Sequence, residues 1–174
     1  MKRLLAITPL VLCGVFLCAG PAFGQGTQSP AAKSPSLLTV SGEVAHPLSL
    51  SASDLAALPH RTVNAKDHQG ELASFSGVAL TDILKLAGVK FGEDLRGKAL
   101  SLYVVVKGSD GYQVTFAIAD FDPGFTDKLV LLADHRDGNP LSSAEGPLRV
   151  VVPDEKRQAR WVRNAISISV RRAE

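Results

Sequence analysis

Apolar and polar residues alternate with a period of two over several short stretches of this chain, the signature of half-buried strands. Residues 37–41, the Leu48-Ser49-Leu50 triplet, and residues 61–66, 71–75, 99–106, 112–118 and 129–133 are strand candidates. Residues 148–152, apolar apart from Arg149, are expected to form the most buried strand. Ile166, Ile168 and Val170 alternate with Ser167, Ser169 and Arg171 in a final one-sided strand. Asp67-His68-Gln69-Gly70 and Gly108-Ser109-Asp110-Gly111 carry hairpin-turn chemistry between neighbouring runs. Only two stretches have helical spacing. Ser51 and Asp54 form a capping box that opens a short helix over 52–57, stopped by Pro59. Leu80, Ile83, Leu84 and Ala87 make an amphipathic helix, with Gly88 where a left-handed cap belongs. Residues 91–98 read as a charged loop, and residues 119–126 as irregular chain or a short helical turn. Many strands, two helices and no regular βαβ alternation predict an α+β fold: a mixed sheet or barrel-like sandwich with a few short helices.

The N-terminus departs from this pattern. Lys2 and Arg3 precede an apolar run over 4–19, and Ala22 and Gly24 occupy the small-residue positions for cleavage before Gln25. Residues 1–24 are therefore expected to be a secretory signal peptide, which leaves no stable membrane anchor once it is cut. Leu12 and Leu17 stand before the two cysteines where a lipoprotein signal has a small residue. The expected location is periplasmic or secreted. Residues 25–36 are small, polar and Pro-containing, a flexible linker, so the folded domain is expected over 37–172.

Cleavage alters the composition. Cys13 and Cys18 leave with the signal, so the mature chain has no disulfide and no thiolate ligand. Lys2 and Arg3 leave too, taking the nineteen basic residues down to seventeen against seventeen acidic ones. A near-neutral chain gives no charge argument for nucleic acid or membrane partners.

The candidate chemistry sits in residues 146–161, where a buried strand ends at Pro153 and a basic loop runs to Trp161. Arg149, Lys156, Arg157, Arg160 and Arg163 are its cations, and a guanidinium fork suits phosphate or carboxylate oxygens. Arg149, set among apolar neighbours, must be paired, face a polar cavity, or lie on the solvated outer face of its strand. For Arg157 and Arg163 the solvated surface is the expectation. Trp161, the lone tryptophan, is either a core anchor or a ligand contact. His46, His60, His68 and His135 lack metal-ligand spacing, and no metal site is expected. Asp110, Asp120, Asp122, Asp127 and Asp134 are read as turn formers. No catalytic residue is assigned.

Several segments together resemble a known family. Residues 131–141 (LLADHRDGNPL) lead into Gly146-Pro147-Leu148-Arg149 and Pro153, followed by Arg160-Trp161 and the terminal strand. Upstream lie Phe75-Ser76-Gly77-Val78-Ala79-Leu80 and Asp110-Gly111-Tyr112. In order and spacing these resemble the oxidoreductase molybdopterin-binding domain of the sulfite oxidase-like family, over about residues 37–171. The resemblance implies an α+β fold enclosing a molybdopterin whose phosphate is held by cations. Arg149 and Arg160 match that role by position, with Lys156 and Trp161 beside them. Catalytic members ligate molybdenum through a cysteine shortly before the motif that begins here at Phe75, where they carry Trp. Residues 61–74 contain no cysteine. The expectation is a family member with weak or absent molybdenum chemistry; the alternative is a cofactor-free periplasmic binding module. A redox protein or a small anionic ligand is the expected partner.

Overall fold

The computed structural model describes residues 35–174. The expected leader and all but the last two residues of the linker lie outside them. Two five-stranded sheets carry the fold. In the first, β1 (Ser36–Gly42) pairs antiparallel with β2 (Leu48–Ser51) and parallel with the last strand, β10 (Ala165–Arg172). Beyond β10 lie β5 (Leu102–Gly108) and β6 (Gln113–Ala117), the hairpin expected around Gly108 to Gly111. The second sheet runs β3 (His60–Lys66), β4 (Leu72–Ala79), β7 (Leu131–Arg136) and the two-residue β8 (Asn139–Pro140), with β9 (Arg149–Val151) also paired to β7.

The two expected helices are present. In α1 (Ala52–Ala56) the Asp54 N–H donates to Ser51 Oγ, and the Ser51 N–H donates back to the Asp54 carboxylate at 2.8 Å. α2 (Leu80–Leu86) buries Leu80, Ile83 and Leu84, and Gly88 follows it at φ +83. Apolar residues of both sheets, among them Leu38, Val104, Phe116 and Ile168 from the first and Phe75, Val78, Leu132 and Val150 from the second, join α2 in one core. The molecule is an α+β sandwich of mixed sheets with few short helices. Among the described residues no helix is long and apolar enough to cross a membrane.

Several details differ from the sequence pattern: β7, expected over 129–133, is Leu131–Arg136, and β8 at Asn139–Pro140 was not expected as a strand. Residues 97–101 form a 3-10 turn, so β5 starts at Leu102 rather than 99. β4 runs on to Ala79 and enters α2 directly. In β10 the register against β5 slips between Ala165 and Ser167, so Ala165 points inward and Ile166 is 42% exposed. A one-residue slip moves a side chain to the opposite face.

β9 joins the sheets. One edge pairs with β7, while the Val150 N–H donates to Val162 C=O and the Ala165 N–H donates to Leu148 C=O. The chain therefore leaves β9, loops through residues 153–161, and returns along the strand it has just left.

Candidate functional site

Arg149 is the most consequential residue of this seam. All three positions of β9 are buried, and Arg149 is 1% exposed, which rules out the solvated outer face. Its guanidinium carbon lies 4.9 Å from the Trp161 ring centre and 5.8 Å from that of Phe75. The two rings meet edge to face at 5.4 Å. Glu145 supplies the countercharge through Arg149 Nη1. Glu145 also lies 3.7 Å from Arg136, which donates to the buried Asp67 carboxylate at 2.7 Å. An alternating chain Asp67–Arg136–Glu145–Arg149 thus wraps the Phe75–Trp161 pair. Burial pushes the Arg149 pKa down, and Glu145 opposes that shift. Arg149 Nε has no hydrogen-bond partner among the described residues.

Arg160 lies on the other side of the loop, half-buried and stacked 4.7 Å above the Phe116 ring. It donates to Glu155 through Nε at 2.8 Å and to Asp120 at 3.0 Å. Burial disfavours its charge, but the two carboxylates outweigh burial and raise its pKa. The loop has further ties. Gln158 donates to Lys66 C=O, Tyr112 Oη donates to Ala159 C=O at 2.6 Å, and Trp161 Nε1 donates to Val152 C=O at 3.0 Å. Asp154 sits at φ +64, a left-handed conformation uncommon outside glycine.

Between this loop and the β3–β4 hairpin runs a cleft. One part, about 260 Å³, is lined by Asn64, Lys66, Leu72, Lys156 and Trp161 among others. The adjoining part shares Lys66, Glu155 and Lys156 and extends past His68 to Arg157. Glu155 is committed to Arg160 and Asp67 to Arg136. Lys66, Lys156 and Arg157 remain exposed, with Asp154 as the uncommitted carboxylate. The cleft thus has an aromatic and aliphatic floor and a cationic rim.

The structure gathers Trp161 and Lys156 at the cleft, holds Arg149 beneath it, and sets Arg160 behind the loop. Lys66, Glu145, Arg136 and Gln158 were not picked out from sequence. Glu145, four residues before Arg149, had a readable signal, since a buried cation requires a nearby carboxylate. The others come from segments distant in the chain. Asp110 and Asp122 are turn formers as expected. Asp120 and Asp134 instead accept from Arg160 and from His60 and His135; Arg160 and His60 are brought there by the fold, whereas His135 is the chain neighbour of Asp134.

Against a phosphate-bearing cofactor the donor set fits in part. Lys66, Lys156 and Arg157 are available to phosphate oxygens, whereas Arg149 and Arg160 have their charge matched internally. For a metal, the β3–β4 segment presents Asn64, Ala65 and Lys66 rather than a thiol. Among the described residues no group of three His, Cys, Asp or Glu could hold a metal ion.

A two-sheet α+β domain with an aromatic-floored, cation-rimmed cleft beside its seam is the class of protein that fold and site define. The family model described as the oxidoreductase molybdopterin binding domain matches residues 28–174, and the chain belongs to that family. Its fold is also that of a domain in the crystal structure of the sulfane dehydrogenase SoxCD from Paracoccus pantotrophus. That match has 21% identity and a TM-score of 0.62, and covers 76% of this chain. The chain spans 37% of the SoxCD chain it matches, and at that identity the likeness is one of fold. Among curated proteins none matches the sequence.

Proposed function

We propose that this chain is an exported family member whose cleft beside Trp161 binds a small phosphate-bearing anion, with molybdenum chemistry weak or absent. The observation that carries the reading is the division of cations. Arg149 and Arg160 are neutralised by Glu145, Glu155 and Asp120, while Lys66 and Lys156 line the open cleft from its two walls. Two flexible ammonium groups lining one cleft suit a small ligand with an anionic tail. The missing thiolate supports the second half, since the chain's cysteines, Cys13 and Cys18, stand within the expected signal peptide. Periplasmic or secreted location rests on that same N-terminal pattern, and an electron-transfer protein partner would enter only if the metal were present.

Thermal unfolding with a phosphate-bearing pterin tests the binding claim. Ligand at about 100 times Kd adds roughly 2.7 kcal/mol to the wild type. The Lys66→Ala/Lys156→Ala variant, altered at exposed side chains alone, is expected to lose this gain. An unchanged gain in that variant overturns the site. Metal and pterin are assayed in protein from a molybdenum-replete host; stoichiometric molybdenum overturns the claim of weak chemistry.

A further inference from the structure

A second pocket lies away from the cleft, with apolar walls from Leu37, Ala52, Leu55, Leu141 and Leu148 and a volume of about 220 Å³. Its polar members are Asp134 and His135. Asp134 is the extra residue of a bulge, because Ser76 pairs with His135 and Gly77 with Ala133. The bulge aims the Asp134 carboxylate at two imidazoles. Oδ2 lies 2.9 Å from His60 Nε2, and Oδ1 lies 2.8 Å from His135 Nδ1. His60 Nδ1 also faces an acceptor, Leu58 C=O at 2.9 Å, so oxygens meet both of its ring nitrogens and raise its pKa. His135 donates through Nδ1, which fixes the tautomer and leaves Nε2 as an acceptor without a partner among the described residues.

We propose that this pocket is a binding site for a small uncharged apolar molecule carrying one hydroxyl, such as a phenol or a short alcohol, donated to His135 Nε2. Both imidazoles already engage the Asp134 carboxylate, so an added ion finds no unengaged countercharge in the cluster. The acceptor-only nitrogen selects a donor, and the walls select an apolar body. The site shares no lining residue with the cleft beside Trp161.

The test is titration of the full chain followed by amide and imidazole NMR, with phenol against toluene as its isostere without a donor. Phenol is expected to give saturable shifts at Leu37, Leu55, Leu148 and the His135 ring, with about tenfold higher affinity than toluene. His135→Ala is expected to bring phenol to the toluene level. Ala52→Phe, altered at an exposed helix position, should fill the pocket and abolish both, with amide dispersion reporting that each variant is folded. The proposal fails if phenol gives no saturable shift at these residues or binds no better than toluene. It fails equally if His135→Ala leaves phenol binding unchanged or Ala52→Phe leaves both ligands bound.

Discussion

A guanidinium out of water is tolerated only with its countercharge in place, and Arg149 has one close carboxylate. Glu145→Gln therefore strands a buried cation and is expected to cost about 3–5 kcal/mol in urea unfolding. Adding Arg149→Met to it should recover much of that loss, because an apolar side chain of similar length suits a bed of Phe75 and Trp161. A double variant no more stable than the single one would show that Glu145 acts through Arg136 instead. His60 makes a second residue-scale prediction. Its hydrogen bond to Asp134, helped by Leu58 C=O, raises its pKa. Its contribution to stability is therefore fully present below the unfolded histidine value and is lost as pH rises through the folded value. For Asp134, burial alone would raise the pKa, but hydrogen bonds from His135 and His60 outweigh it and hold the carboxyl low. That contribution is lost as pH falls through the depressed value. The wild type minus His60→Gln stability difference should be largest in mildly acidic buffer and shrink toward pH 9; a flat difference would refute the pairing. The cations of the site were readable in the sequence as residue types, but their partners were not. Glu145 is near Arg149 in the chain, whereas Asp120 and Arg160 meet only through folding.

At the scale of elements, the β4–β7 pair decides where the polar side chains point. Gly77 lies at the bulge, and a Cβ there would come 2.1 Å from the Leu132 carbonyl oxygen. Gly77→Ala is expected to cost about 3 kcal/mol or more and to part His60 from Asp134, which circular dichroism melts and the His60 ring signals would register. A wild-type melt for Gly77→Ala would mean the strands can separate without loss. Most strands and both helices were legible, since alternation and capping are local properties. The capping box of α1 and the glycine after α2 stand where the sequence puts them. The bulges at Asp134 and between Ala165 and Ser167 were not legible, because a bulge arises from the mismatch between two paired strands. That mismatch is why Ile166 is exposed despite its place in an alternating run.

Across the whole molecule, β9 and the returning segment 162–165 join the two sheets, and the loop between them forms one wall of the cleft. The wall is tied to β3 by Gln158, to the β5–β6 hairpin by Tyr112, and to Asp120 by Arg160. Such anchoring favours a preformed site over one assembled on binding. Export carries its own prediction. A chain cut before Gln25 has no thiol, so intact mass should give Gln25 as the first residue and the unfolding midpoint should not move with reductant. A retained leader or a reductant-sensitive midpoint would contradict it. The sequence by itself determined the α+β class, most of the strands, the family and the segment around which the site is built, because these depend on local pattern and motif order. Only the tertiary structure decided which cations remain free. Pairing across the seam matches Arg149 and Arg160 with carboxylates and leaves Lys66 and Lys156 facing solvent, and charge compensation depends on distances in space rather than along the chain.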